Sequence, residues 1–178
     1  MIRTAARTAV LLLLAACGSA TAPGYYRLPD SAFRQPESSA APTAVQVVLA
    51  EHLQGSGMVY QTDAHHLNLS QQNLWAEPLA EPLAASISNK LNRLGSGTFI
   101  PQQLAGSNGR NVLKIYIDRF QGSYTGQTEI NGYAQWPDGR RQSLHALTPQ
   151  HGDGYAAMLE SLDKGLDETA AQIIRRRF

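Results

Sequence analysis

Val-Leu-Lys-Ile-Tyr-Ile-Asp-Arg-Phe, residues 112–120 (VLKIYIDRF), is the strongest strand-like run in the chain. Leu113, Ile115 and Ile117 fall on one side of an extended segment, and Val112, Tyr116 and Phe120 on the other. Apolar residues on both sides predict a strand in the middle of a sheet rather than at its edge. Downstream, Thr128–Trp136 and Gln142–Leu147 flank Pro137-Asp138-Gly139-Arg140, a turn sequence between two strand-like runs and hence a hairpin. Upstream, Val45, Val47, Leu49 and Leu53 share one face, with Gln46, Ala50 and His52 opposite, the alternation of a half-buried strand. Gly55-Ser56-Gly57 reads as a turn before a strand over Met58–Thr62, and Leu67 and Leu69 continue the pattern in a third. Tyr25-Tyr26-Arg27-Leu28 is a short strand stopped by Pro29-Asp30, Ser31–Pro42 is a loop, and Phe99-Ile100 is a further short strand before a loop over Ala105–Gly109.

Two segments change period. Leu83, Ile87, Leu91 and Leu94 recur at helical spacing, with Asn73 as a candidate cap, entry through Leu74–Leu79 and Gly95 and Gly97 at the far end. Pro78 and Pro82 complicate the entry, because proline is easy in a first turn but costs about 3 kcal/mol inside a helix. A bend, or a start near one of the two prolines, is therefore expected. The second helical stripe, Tyr155, Leu159, Leu162, Leu166, Ala170 and Ile173, runs over about Asp153–Arg177. Gly165 weakens it slightly, and Arg175–Arg177 suit the negative end of its dipole. Together these elements predict an α/β (α+β) fold: a mixed β-sheet of about six to eight strands with two amphipathic helices packed on one face, a two-layer sandwich.

The N-terminus has a different logic. Arg3 and Arg7 precede the apolar run Ala9–Ala16, which is far shorter than the roughly 20 residues that span a bilayer. This is the pattern of a secretory signal. Its end, Leu14-Ala15-Ala16-Cys17-Gly18, resembles a bacterial lipobox, in which cleavage before the cysteine follows attachment of a diacylglyceryl group to its sulfur. The competing reading is an ordinary signal peptide with an incidental cysteine. Residues 1–16 are thus expected to be a lipoprotein signal peptide, 17–24 a lipidated tether and 25–178 one domain. Cys17 is the only cysteine, so no disulfide competes for it. Gly18 and Ser19 come next, without an Asp at position 18, which by resemblance to enterobacterial sorting signals implies the outer membrane.

Composition narrows the function classes. The 162 residues from Cys17 onward can bury a core without staples. Without Arg3 and Arg7, 13 basic residues face 14 acidic ones, so nothing in the net charge favours nucleic acid. The glycine stretches at 55–57 and 95–97 lack a phosphate-binding Gly-Lys-Ser/Thr ending, and no Gly-x-Ser-x-Gly elbow is present. His65 and His66 are adjacent, and on a strand they would point to opposite faces, which makes them poor co-ligands for one metal. No catalytic residue, metal site or cofactor is expected beyond the covalent diacylglycerol and N-acyl lipid on Cys17.

Four features in order, the lipobox, Tyr25-Tyr26-Arg27-Leu28, Trp75-Ala76-Glu77-Pro78-Leu79 and Ile117-Asp118-Arg119-Phe120, resemble the PqiC/YmbA family of ABC-type transport auxiliary lipoproteins. The resemblance spans nearly all of the chain after Ala16. It implies a noncatalytic lipoprotein of the outer membrane, facing the periplasm. It also implies an inner-membrane-anchored MCE-domain partner in a system that moves lipid between membranes and supports envelope integrity, with a homo-oligomer as a further possibility. Trp75, Glu77, Pro78 and Leu79 are the motif positions to weigh. Trp75 is either a docking anchor or an aromatic packed over its own sheet, and Glu77 either caps the helix or favours its positive end. A different class of function, a lipoprotein that itself holds a lipid or glycan between helix and sheet, requires a closed apolar pocket there.

Overall fold

The computed structural model describes residues 22–37, 41–95, 97–106 and 111–175. The signal segment 1–16 and Cys17 lie outside the described residues, as do Arg176 and Arg177. Among the described residues, eight strands and two helices run in the order β1 (Gly24–Tyr26), β2 (Thr43–Leu49), β3 (Gly57–Gln61), β4 (Leu67–Trp75), α1 (Ala80–Arg93), β5 (Phe99–Pro101), β6 (Val112–Ser123), β7 (Gln127–Gln135), β8 (Arg141–Pro149) and α2 (Gly154–Arg175). The strands form one mixed, open sheet, the mixed sheet expected for this fold class.

β6 is its axis. One of its edges pairs with antiparallel β7 from Lys114 to Gly122. The other pairs with parallel β2 over Val112–Ile117 and then with parallel β3 at Gly122–Ser123. Beyond β2 lies β5; beyond β3 lie β4 and β1; beyond β7 lies β8. β2 and β3 thus succeed one another along the same edge. The strand expected through Leu53 ends at Leu49, and a 3-10 turn over Glu51–Leu53 carries the chain across the gap while keeping Leu53 buried.

Along β6 the alternation breaks at Asp118-Arg119, where the β6–β7 register shifts by a bulge. Both residues are exposed, while Ile117 and Phe120 on either side are buried. Phe120 therefore lies in the core with Leu113, Ile115 and Ile117, not on the face opposite them as strict period two predicts, because one extra residue inverts every later side chain. The bulge also brings the two backbones close: a β-carbon on Gly132 would lie 1.9 Å from the Tyr116 carbonyl oxygen.

Both helices cover one face of the sheet, α1 on β2 and β5, α2 on β6, β7 and β8, and they touch each other. Leu83, Ile87 and Leu91 of α1 and Leu162, Leu166, Ala170 and Ile173 of α2 are fully buried. Leu94, expected in the first stripe, lies just past α1 and is exposed. The helix begins at Ala80, between the two prolines. Pro82 is its third residue, and the first helical hydrogen bond is donated by Leu83 to the Leu79 carbonyl (3.1 Å), so the missing proline N–H removes no bond. Leu74 and Trp75 are strand, not helix entry, and Asn73 sits inside β4 rather than at a cap. Gly165 marks where α2 lies closest to the sheet, since a β-carbon there would stand 3.0 Å from Ile130 Cδ1 and 3.1 Å from Thr148 Oγ1. The layer between helices and sheet is filled by these side chains together with Phe99, Phe120, Ile130 and Leu144.

Candidate functional site, where three motifs meet

The three domain motifs lie far apart in sequence and adjoin in space. β1 pairs in parallel with the end of β4, placing Tyr25 beside Leu74 and Tyr26 beside Trp75. The Ala76 amide extends this pairing by donating to the Tyr26 carbonyl (2.8 Å), and the Tyr26 hydroxyl donates to Asn73 Oδ1 (3.2 Å). Trp75 donates its amide to the Ser56 carbonyl (2.7 Å), and its indole, 7% exposed, lies at a tilt against Phe120 with ring centres 6.1 Å apart. A side chain this buried packs the core and offers no surface for docking. Leu79, buried at the entrance of α1, belongs to the same apolar cluster.

Glu77 and Pro78 are exposed. No side chain caps the start of α1; Glu77 Oε1 instead faces Arg27 Nε at 3.7 Å, and Glu81 is the carboxylate in the first turn. An exposed pair at that separation contributes about 0–1 kcal/mol, so it orients the junction more than it stabilises it. The motif Trp75–Leu79 thus ends β4 and leads into α1, and the segment Tyr25–Leu28 begins on the strand paired with it.

The segment after β1 is fastened as well. Asn89, buried on α1, donates through Nδ2 to the carbonyls of Asp30 and Ala32 (both 2.9 Å) and accepts from the Arg34 amide (3.0 Å). Arg93 Nη1 meets Asp30 Oδ2 at 2.6 Å, and this hydrogen bond raises the Arg93 pKa above its usual value. One turn away on α1, Lys90 Nζ, almost wholly buried, lies 2.9 Å from both Asp163 Oδ1 and Asp167 Oδ1 of α2.

The third motif contributes both faces of the bulge: Phe120 to the core, Asp118 and Arg119 to the outward face. Arg119 Nη1 is held by Glu129 at 2.9 and 3.1 Å. On the same face Tyr116 and Tyr133 stack with centres 4.4 Å apart. A cleft beside the bulge is lined by His52, Gln61, His65, Asp118, Arg119 and Gln121. The sequence names His65 only as a poor metal ligand and Asp118-Arg119 only within the family motif, and their spacing gives no sign that they meet Gln61 and Gln121.

His65 and His66 occupy the β3–β4 loop, not a strand. His66 Nδ1 pairs with the Asp63 carboxylate (2.8 and 2.9 Å), and hydrogen bonds from the amide of His65, the ring of His66 and the amide of His66 hold the Asp63 pKa below its usual value. Among the described residues no three His, Cys, Asp or Glu side chains are grouped to hold a metal ion, and no helix is long and apolar enough to cross a membrane.

The family model of the ABC-type transport auxiliary lipoprotein component matches residues 26–174. The chain belongs to that family. The family is a noncatalytic transport component, so the chain is not an enzyme. Among curated proteins it is 27% identical over 176 residues to the intermembrane transport lipoprotein PqiC of Escherichia coli (strain K12), covering 93% of this chain and 92% of that one. The Shigella flexneri protein of the same name matches equally. Among solved structures, an uncharacterised protein 28% identical superposes with a TM-score of 0.66 over 86% of this chain and 97% of its own. A Xanthomonas campestris protein at 17% identity, covering 86% of this chain and 90% of its own, shares the fold with a TM-score of 0.62.

Proposed function

We propose that this family member is an outer-membrane lipoprotein, acylated on Cys17 and facing the periplasm. There it receives the end of an inner-membrane-anchored MCE-domain protein within an intermembrane lipid transport system. The observation that carries the reading is the family match over residues 26–174, together with a full-length relative named for intermembrane transport. The fold agrees with a scaffold role. The three domain motifs build one junction, and their apolar members Trp75, Leu79 and Phe120 are part of the core. Anchoring in a plane raises the local concentration of a docking surface, so weak contacts suffice. A homo-oligomer would multiply that effect.

Buried apolar side chains occupy most of the layer between helices and sheet, and the opening of about 310 Å³ between Tyr60 of β3 and Tyr155 and Met158 of α2 is not the closed apolar pocket that the alternative, a lipid or glycan held there, requires. Two experiments test the proposal. Fractionation of cells making wild type and Cys17→Ser should find only the wild type acylated and in the outer membrane. Affinity purification from detergent-solubilised envelopes should recover the MCE-domain protein, and failure to do so under conditions that keep membrane complexes intact would refute the docking role.

A further inference from the structure

The cleft beside the β6 bulge has a volume of about 200 Å³, and its walls are the 3-10 turn Glu51–Leu53, the β3–β4 loop and the bulge. Two shielded polar atoms in its lining have no hydrogen-bond partner: Gln121 Oε1, on a side chain 2% exposed, and His52 Nε2. Gln121 Nε2 donates to Gln61 Oε1 at 3.3 Å, which fixes the amide and leaves its carbonyl oxygen in need of a donor. A buried polar group without a partner is destabilising, because it has lost its bonds to water and gained none in return. Two of them lining one cleft mark a place where a ligand restores the bonds that folding leaves unmade.

The lining is bipolar. Gln121 Oε1 and the exposed Asp118 carboxylate accept hydrogen bonds, whereas Arg119 is held by Glu129 through Nη1 and has Nη2 and Nε left to donate. An ammonium supplies N–H donors for the first pair, and a phosphate suits the guanidinium and the imidazole of His52. A phosphoethanolamine-type zwitterion carries both, joined by a short ethylene link. Leu67, at the rim, and Leu69 are 42% and 46% exposed, apolar contact for the glycerol and acyl chains beyond a lipid phosphate. β1 runs parallel to β4, so the start of β1 points toward the Leu67 end of β4. Cys17 is five residues before Ala22, a reach of at most about 18 Å.

We propose that this cleft binds the phosphoethanolamine-type headgroup of a lipid in the membrane to which the chain is anchored. The bilayer as source rests on acylation of Cys17; the headgroup chemistry does not. The test is titration of the full mature protein, in detergent, with three soluble probes: dihexanoyl phosphatidylethanolamine, dihexanoyl phosphatidylglycerol and free phosphoethanolamine. Amide NMR shifts are followed at His52, Asp118 and Gln121. The ethanolamine lipid should bind saturably at these residues. Asp118→Asn, an exposed position that leaves the fold unchanged, and Gln121→Met, checked by its melting temperature, should each weaken it about tenfold. Free phosphoethanolamine should bind at the same residues more weakly. Equal binding of the glycerol lipid, undiminished binding in Asp118→Asn, or no saturable shift with any probe overturns the site. Free phosphoethanolamine binding as tightly as the lipid overturns the bilayer as its source. Because the probes are soluble, failure here is distinct from failure of the anchor, which the Cys17→Ser fractionation reads.

Discussion

Gly132→Ala is the substitution for which the geometry gives the sharpest expectation. Its β-carbon would stand 1.9 Å from the Tyr116 carbonyl oxygen, and contacts below 3.0 Å do not persist, so β6 and β7 must separate locally by about 1.1 Å. The site is next to the bulge, in the middle of the sheet, where the obstacle is backbone and cannot rotate away. Loss of one or two ladder bonds, each about 1 kcal/mol net, plus overpacking strain of about 1–3 kcal/mol, gives a destabilisation of about 2–5 kcal/mol. For a chain of this size that is a fall in Tm of about 4–20 °C. The natural control is Gly165→Ala. There the nearest atoms, at 3.0 and 3.1 Å, are the ends of the Ile130 and Thr148 side chains, which can shift. Alanine also favours a helix by about 1 kcal/mol, so the net change should stay within about 1 kcal/mol. Urea denaturation monitored by circular dichroism measures both. A Gly132→Ala midpoint equivalent to a loss under about 0.5 kcal/mol with an unchanged m-value would refute the close-approach reasoning.

Trp75→Ala should cost about 3–5 kcal/mol, as a buried aromatic truncation does; a variant of normal stability that loses only partner binding would restore the docking-anchor reading. Lys90→Ala leaves the Asp163 and Asp167 carboxylates without their buried cation and should destabilise by about 2–4 kcal/mol. Adding Asp163→Asn should recover part of that loss, and additivity in the double-mutant cycle would show the pair to be uncoupled. Asp63 has a folded pKa below its unfolded value, so its contribution is present above the ordinary aspartate range and is lost as pH falls through the lowered value. Carboxyl NMR titration should place Asp63 below the other exposed aspartates apart from Asp138, whose pKa is lowered in the same way by the Arg140 amide and side chain, and Asp63→Asn should abolish the pH response of the His65 and His66 amides.

The layers of the fold are legible in the sequence because periodicity reports burial. VLKIYIDRF, the Pro137–Arg140 hairpin and the Leu159–Ile173 stripe each bury the residues their spacing singles out, up to Ile117 in the first. Periodicity does not carry a local insertion. The bulge at Asp118-Arg119 looks like continued alternation, so strict period two puts Phe120 on the wrong side. Asn73, with Leu74 and Trp75 after it, offers the same pattern as a capped helix entry. β1 on one side, and Ser56 and Gly57 at the start of β3 on the other, hold those residues extended. The cleft is illegible for a related reason. His52, Gln61 and Gln121 come from three separate segments, and nothing in their spacing shows that β2 and β3 abut one strand in succession.

The parallel pairing of β1 with β4 also decides how the molecule carries force. A pull on the start of β1 directed away from Tyr26 loads the Gly24–Tyr26 ladder and the Ala76 bond in shear, so they share the stress rather than yielding rung by rung as in peeling. Behind them the Asn89 clasp on Asp30, Ala32 and Arg34 forms a second, independent stop. Under the anchoring proposed above, the domain would be gripped twice before its core is strained. Optical-trap pulling from residue 17 should show two rupture steps before global unfolding, and Asn89→Ala should erase the later of them.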